Sequence, residues 1–294
     1  MMLRQVLAMY CESRINLRRR TEANYESVVN GFVEFLGIEP PICDITASQI
    51  REYMRAVVQS GQSARTANNK RSVLITLWRF AAEEGLRSDL PPTIRRAREE
   101  QSLPQAWTLE QIHRALKSAR QARTHRSGWG PVHWVALIHV CYATASRIGA
   151  VAKLPRSAFD GRYLRTPSTA AKSRRELIHR LPDACVQALN EMLRSHPRPS
   201  DDRLFCCPYE AVHGGIQEAF RRHVMRRAGL NGEVDRIFHG IRRHTYTVVA
   251  DKLGFEAAGA IAGHTCDMRE SYFDRQLAEN TVDPVTALPE LKAS

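Results

Sequence analysis

The sequence predicts a mainly α-helical protein in two domains, with a small β-sheet confined to the second. Three observations carry this. Apolar residues recur at intervals of three and four along most of the chain, the helical period. Around Tyr163 to Leu181 that period is lost and Arg174-Arg175 interrupt short apolar segments, the pattern of a hairpin or small sheet. Near residue 100, Pro91-Pro92 and a polar stretch to Gln105 have the composition of a linker, in a chain whose 294 residues exceed the usual size of a single core. No internal repeat is visible.

The first domain, residues 1–98, reads as three helices. The first carries Tyr25, Val28, Val29, Phe32, Phe35 and Leu36, with Thr21 to cap its start and Gly37 its end. The second runs from about Ala47 to Ser60, with Ile50, Tyr53, Met54, Val57 and Val58 on one stripe and Gly61 closing it. The third starts near Ala64 and places Val73, Leu77, Phe80 and Ala81 on its buried side, while Arg65, Asn69 and Ser72 project elsewhere. Arg and Asn are the side chains that read guanine and adenine edges, so this polar face suits a DNA groove; a solvated helix face has the same composition. The linker, residues 99–106, follows Arg95 and Arg96, a pair placed to grip a nucleic-acid backbone or simply to be solvated.

The second domain, residues 107–294, opens on Thr108-Leu109-Glu110-Gln111, a capping box leading into a helix to about Ala119. An apolar helix from Pro131 to Tyr142 comes next, then the hairpin region. Further helices are expected over Asp183 to about Ser195, roughly Ala211 to Ala228, His239 to Leu253, and Phe255 to Ala262. Arg221-Arg222 and Arg226-Arg227 make a basic stripe on one of them, suited to phosphate contacts or to solvent.

Lys and Arg outnumber Asp and Glu by 43 to 31, giving a net charge of +12 and a pI near 9.7. That balance fits a partner rich in phosphate, although a ribosomal or membrane-surface protein would share it. The seven cysteines show no CxxC spacing and read as reduced thiols. No apolar stretch reaches the roughly 20 residues of a membrane span, and Met1 to Cys11 lacks the pattern of a signal peptide. These features set the expectation of a protein that stays in the cytoplasm where it is made, with no membrane partner; for a DNA enzyme that means beside the chromosome.

Three segments place strongly polar residues in apolar helical contexts. They are Ala143-Thr144-Ala145-Ser146-Arg147-Ile148-Gly149-Ala150-Val151, then His239-Gly240-Ile241-Arg242 with His244 behind it, and last Ala262-Gly263-His264 with Tyr272 eight residues on. Singly they are unremarkable, since an Arg after an apolar helix is commonly a C-terminal cap. Their order resembles the tyrosine recombinase or phage integrase family: an Arg in a small-residue turn, a Lys in a β-hairpin, a His-x-x-Arg box, a Gly-His, and a Tyr shortly after. The resemblance spans nearly the whole chain. It implies an N-terminal helical, SAM-like core-binding domain and an α+β catalytic domain with a small sheet. The start of the chain in core-binding helices points to an Xer-like or Cre-like layout.

Carried across, the resemblance makes Arg147 and Arg242 the phosphate clamps, His239 the base, His264 a donor to the phosphate and Tyr272 the nucleophile. Lys172, in Lys172-Ser173-Arg174-Arg175-Glu176-Leu177-Ile178-His179-Arg180-Leu181-Pro182, corresponds to the hairpin lysine, with Lys153 its rival. The chemistry explains the residue types. Direct attack on a phosphodiester builds charge on the nonbridging oxygens, which two guanidiniums hold with forked hydrogen bonds. A phenol, with a pKa of about 10, needs its proton removed or its anion stabilised. A lysine among cations has a lowered pKa suited to protonating the departing 5′ oxygen.

The resemblance further implies a 3′-phosphotyrosyl intermediate that keeps the bond energy. No ATP, metal or cofactor is then needed, and His239 and His244, five apart on a helix, lack the one-face spacing of a ligand pair. The implied partner is double-stranded DNA, on which four protomers assemble across paired sites, with accessory DNA-bending proteins in some systems. Its outcome is integration, excision or resolution, as in mobile genetic elements. Arg65, Asn69, Arg95, Arg96 and Arg243 are further candidate DNA contacts. Two positions depart from the pattern: Ala150 stands where the family usually has an acidic residue, and His264 to Tyr272 is about one residue shorter than usual. Type IB topoisomerase activity, a decayed DNA-binding protein and a telomere resolvase remain alternatives.

Overall fold

Leu3, Val6, Leu7 and Tyr10 recur at helical spacing, and in the computed structural model they form the buried face of a helix, α1 (Leu3–Ser13). The structure describes residues 1–100, 103–170, 175–195, 202–209, 215–234, 236–264, 269–274 and 277, with the backbone alone at 269 and 270. They fall into two compact units, Met1–Ser102 and Leu103–Ser294.

In the first unit α1 precedes α2 (Arg19–Leu36), α3 (Ala47–Gln59) and α4 (Ala64–Glu83), so its described residues form four α-helices rather than the expected three. Leu3 N–H donates to Pro40 O and Ile42 N–H to Met1 O, which pins the start of the chain across the turn after α2. Helix α2 begins two residues before Thr21: Arg18 holds the N-cap position without a side-chain bond, while Gly37 ends the helix in the left-handed conformation, φ 72°. Thr46 and Gln49 form a reciprocal capping box on α3, and Ser63 caps α4. Val73, Leu77, Phe80 and Ala81 are all buried in one core with Phe32, Ile50 and Tyr53.

The segment after α4 is not the free linker its composition suggested. Ile94 is buried in the first unit's core, Arg71 Nε donates to Ile94 O (2.6 Å), and the amide of Asn68 bonds both ways to the Ala97 backbone (2.9 and 2.8 Å). An extended strap through Glu99 is therefore fastened to α4.

In the second unit α5 (Leu109–Ala119) carries the Thr108–Gln111 capping box. Helix α6 (Pro131–Thr144) is apolar on every side and therefore central to the core, packed by α5, α8 (Asp183–Ser195) and α11 (Ile237–Leu253). A short α7 (Ile148–Val151) leads to the hairpin of β1 (Tyr163–Thr166) and β2 (Leu177–Arg180), antiparallel with Leu164 opposite His179. The expected helix ending at Ala228 is described from residue 215, as α9 (Gly215–Phe220), a π turn (Arg221–Met225) and α10 (Arg226–Ala228). Helix α11 starts two residues before His239. It is followed by α12 (Phe255–Ala262) and α13 (Arg269–Tyr272).

Trp107 locks the entry of the second unit onto α11. Its indole is buried, its backbone N–H donates to Gly240 O (3.2 Å), and its backbone carbonyl accepts from His244 Nδ1 (2.7 Å). A Cβ at Gly240 would overlap the Trp107 ring. Gly240→Ala is expected to lower stability by about 1–3 kcal/mol through overpacking, read as a reduced midpoint in urea unfolding. An unchanged midpoint would show that the ring yields freely.

Candidate active site

The small residues after α6 allow an abrupt change of direction. Ala145 turns left-handed (φ 48°), the one non-glycine residue with positive φ among those described, and Ser146 N–H is taken up by Thr144 Oγ1 (3.2 Å). Arg147 comes next, extended, at the N-cap of α7, where its carbonyl accepts from Ala150 and Val151. It therefore lies between two helices rather than capping the end of α6.

From α11, the other side of the site, Arg242 projects at 1% exposure. Its Nη1 donates to Ala145 O and its Nη2 to Ala262 O (2.9 Å), at the end of α12. Nη2 also lies 2.5 Å from His264 Nε2. A guanidinium only donates, so Nε2 must accept and the imidazole proton belongs on Nδ1. His264 Nδ1 and Arg242 Nε are buried and have no hydrogen-bond partner among the described residues. His264 is presented by Gly263, left-handed at φ 64°, where a Cβ would lie 2.5 Å from Leu177 Cδ1 on β2.

The Tyr272 ring, 3% exposed, sits at the centre. His264, His239 and Tyr246 lie 4.6, 5.0 and 5.5 Å away between ring centroids, and the Arg242 guanidinium is 4.9 Å from the ring centre. Arg147 Nη2 is 3.5 Å from the phenol oxygen. Five of the six expected catalytic residues thus converge within one chain. Lys172 lies outside the described residues. Its rival Lys153 is exposed just after α7.

Burial and the surrounding guanidiniums hold His239 and His264 each down to about 4, so both imidazoles are neutral at neutral pH. Burial, opposed in part by the neighbouring phenol, brings Arg242 down to about 10, still charged.

Arg243, expected as a DNA contact, is half-buried and bonds within its own chain: Nε donates to Ser271 O (3.1 Å) and Nη1 to Gln105 O (3.3 Å). Arg65, Asn69, Arg95 and Arg96 are exposed on the first unit, Asn69 bonded to Asn24 (3.2 Å) and Arg96 paired with Glu99 (3.0 Å). Sequence reasoning missed Tyr246, Thr247, Asp274 and the carbonyls of Ala145 and Ala262. Tyr246 and Thr247 had a usable signal, since they lie one turn beyond Arg242 and Arg243 on α11.

Residues 9–85 match the family model described as "Phage integrase, N-terminal SAM-like domain". The tyrosine recombinase XerD of Rhizobium meliloti (strain 1021) is 24% identical over 253 residues, covering 83% of this chain and 80% of that protein. Among solved structures, the Tn1549 transposon integrase in complex with circular intermediate DNA superimposes with a TM-score of 0.70 at 16% identity, over 98% of each chain. A lambda integrase tetramer bound to a Holliday junction gives 0.66 at 18%, over 91% of this chain and 79% of that one. The chain carries a phage-integrase N-terminal SAM-like domain, folds as the lambda and Tn1549 integrases fold, and is a relative of the tyrosine recombinases.

Proposed function

We propose that the chain is a site-specific DNA recombinase that cleaves and rejoins strands through a 3′-phosphotyrosyl intermediate, in integration, excision or resolution. The convergence of Arg147, Arg242, His239 and His264 on the Tyr272 phenol carries this reading. The phenol oxygen attacks phosphorus, the bond to the 5′ oxygen breaks, and that oxygen leaves as a hydroxyl. Neutral His239 takes the phenol proton. Arg147, the Nε of Arg242 and the Nδ1–H of His264 hold the nonbridging oxygens, and the two guanidiniums fill the charge-neutralising role that a metal ion would otherwise have. Attack by another 5′ hydroxyl reverses these steps, so the exchange needs no nucleotide hydrolysis.

Lys172 is proposed to protonate the leaving oxygen. The packing of Leu177 against Gly263 supports this, because it roots the hairpin beside His264. Lys+Arg excess and the exposed Arg65 and Asn69 on α4, with Arg95 and Arg96 on the strap, support DNA contacts by the first unit. Assembly as a tetramer on paired sites is proposed from the lambda integrase tetramer. Recombinase and integrase relatives favour strand exchange over topoisomerase relaxation.

Denaturing gels should reveal a covalent protein–DNA adduct on nicked fragments of the genetic element that encodes the chain, and Tyr272→Phe should abolish it. Tight binding without any adduct would defeat the recombinase reading. Because the groups meet within one chain, the tyrosine is expected to act in cis: mixing Tyr272→Phe with Arg242→Ala chains should restore no adduct, whereas restoration would mean the tyrosine is donated by a neighbour.

Arg147→Ala and Arg242→Ala should each slow single-turnover cleavage by roughly 10²–10³, as loss of a preorganised donor does. Near-normal cleavage in either would remove it from the proposed clamp.

The histidines set a pH dependence. Their folded values, about 4, lie below the value of about 6.5 of a free imidazole, so below pH 6.5 the unfolded chain binds more protons. The stability they contribute is complete above pH 6.5 and is lost as pH falls towards 4. Thermal midpoints of the DNA-free protein should drop across that interval, and less steeply in a His239→Gln/His264→Gln variant; identical slopes would contradict the assigned neutrality.

A further inference from the structure

Two residues after the nucleophile, a buried carboxylate ties its segment to the rest of the unit. Asp274, 9% exposed, accepts the Ala106 N–H at Oδ2 (2.8 Å). Its own N–H donates to Thr247 Oγ1 (3.0 Å), and Thr247 Oγ1 donates to Tyr272 O (3.3 Å). Thr247 is wholly buried on α11, so its one hydroxyl hydrogen and a lone pair are both used on the Tyr272 segment. Arg243, one turn earlier, grips Ser271 O and Gln105 O. His239 lies one turn before that, 5.0 Å from the Tyr272 ring between centroids. One helix face thus carries both the imidazole beside the phenol and the groups that fix the backbone bearing it.

We propose that Thr247 and Asp274 are positioning residues for Tyr272: they set the height and direction of the nucleophile against the Arg147–Arg242 pair. The inference rests on the recombinase reading above. A packing role alone would need no such pattern of bonds. A hydroxyl that serves both the carbonyl of residue 272 and the amide of residue 274 fixes the main chain on either side of residue 273. The Asp274 carboxylate then anchors that stretch to residues 105–107, which are themselves bonded to α11 through Trp107. Misplacing a reacting group by about 1 Å costs on the order of 10²-fold in rate, so loosening either anchor should act on the chemical step and not on DNA affinity.

The test uses the full chain on a nicked duplex carrying the sequence trapped by the wild-type adduct, under single turnover at saturating protein. Thr247→Val keeps the shape of the side chain and removes its hydroxyl; Asp274→Ala removes the carboxylate. Each is expected to slow adduct formation on the order of 10- to 100-fold, with DNA Kd within about twofold of wild type. Thr247→Ser and Asp274→Asn, which keep the hydroxyl and an acceptor oxygen, are expected to recover most of the rate. Wild-type rates in both Thr247→Val and Asp274→Ala would overturn the proposal. So would losses that follow Kd and thermal midpoint and are not rescued by the conservative pair. An adduct in the wild type with unimpaired variants refutes the brace alone; no adduct in the wild type refutes the recombinase reading beneath it.

Discussion

Everything in the candidate site depends on burying the guanidinium of Arg242. An ion taken out of water costs several kcal/mol unless hydrogen bonds replace its hydration. Arg242 meets that demand with the carbonyl of Ala145 at the end of α6, the carbonyl of Ala262 at the end of α12, and His264 Nε2. One side chain from α11 therefore holds two other helix ends in place, and Arg147 and His264 follow those ends into the site. The left-handed Ala145 belongs to the same arrangement. A non-glycine residue in that region costs roughly 1–2 kcal/mol, and here the turn delivers a carbonyl to a buried cation and starts the chain towards Arg147.

Assembling two guanidiniums in one place also decides the state of the neighbours. Their charge, added to burial, keeps His239 and His264 neutral, because a further positive charge would be repelled and poorly hydrated. Neutral imidazoles are what the proposed acid–base chemistry at this phenol requires: one can accept its proton, and the other keeps a hydrogen on Nδ1 to donate. An anion entering such a field meets donors already oriented, with little reorganisation left for the reacting state.

Much of the scaffold was legible because local rules and tertiary packing agree there. The Thr108–Gln111 box, Gly37 and the span Asp183–Ser195 follow from capping and periodicity alone. Where they diverged, long-range contacts decided. Residues 94–99 have a linker's composition, yet Ile94 fills a core position and Asn68 binds the Ala97 backbone across 29 positions. Helix α1 is stabilised by bonds to Pro40 and by burial against α2 and α4, which the spacing of Leu3, Val6, Leu7 and Tyr10 signals only once a partner surface is assumed. The π turn at Arg221–Met225 has no composition of its own. In the site, side-chain chemistry was readable in the order of Arg147, His239, Arg242, His264 and Tyr272. The main-chain oxygens of Ala145 and Ala262 were not, since a carbonyl is the same at every residue.

Tyr272 is deeply buried, yet in the proposed role of nucleophile it has to reach a phosphate on a separate molecule. The packing around it resolves the tension. Its buried neighbours Ala145, Tyr246, Ala250, Ala258 and Ala262 form a small cluster distinct from the large core around α6, with Val249, Phe255, Ile261 and Phe273 packed against it. Its ring also meets His239, His264 and Tyr246 in tilted arrangements and presents a face to Arg242, interactions individually worth about 0.5–2 kcal/mol. The backbone of residues 271–274 is held instead by directional bonds to Arg243, Thr247 and Ala106. The phenol is thus held by weaker and less directional forces than the backbone that bears it, the division of labour expected of a side chain that has to meet a phosphate from outside.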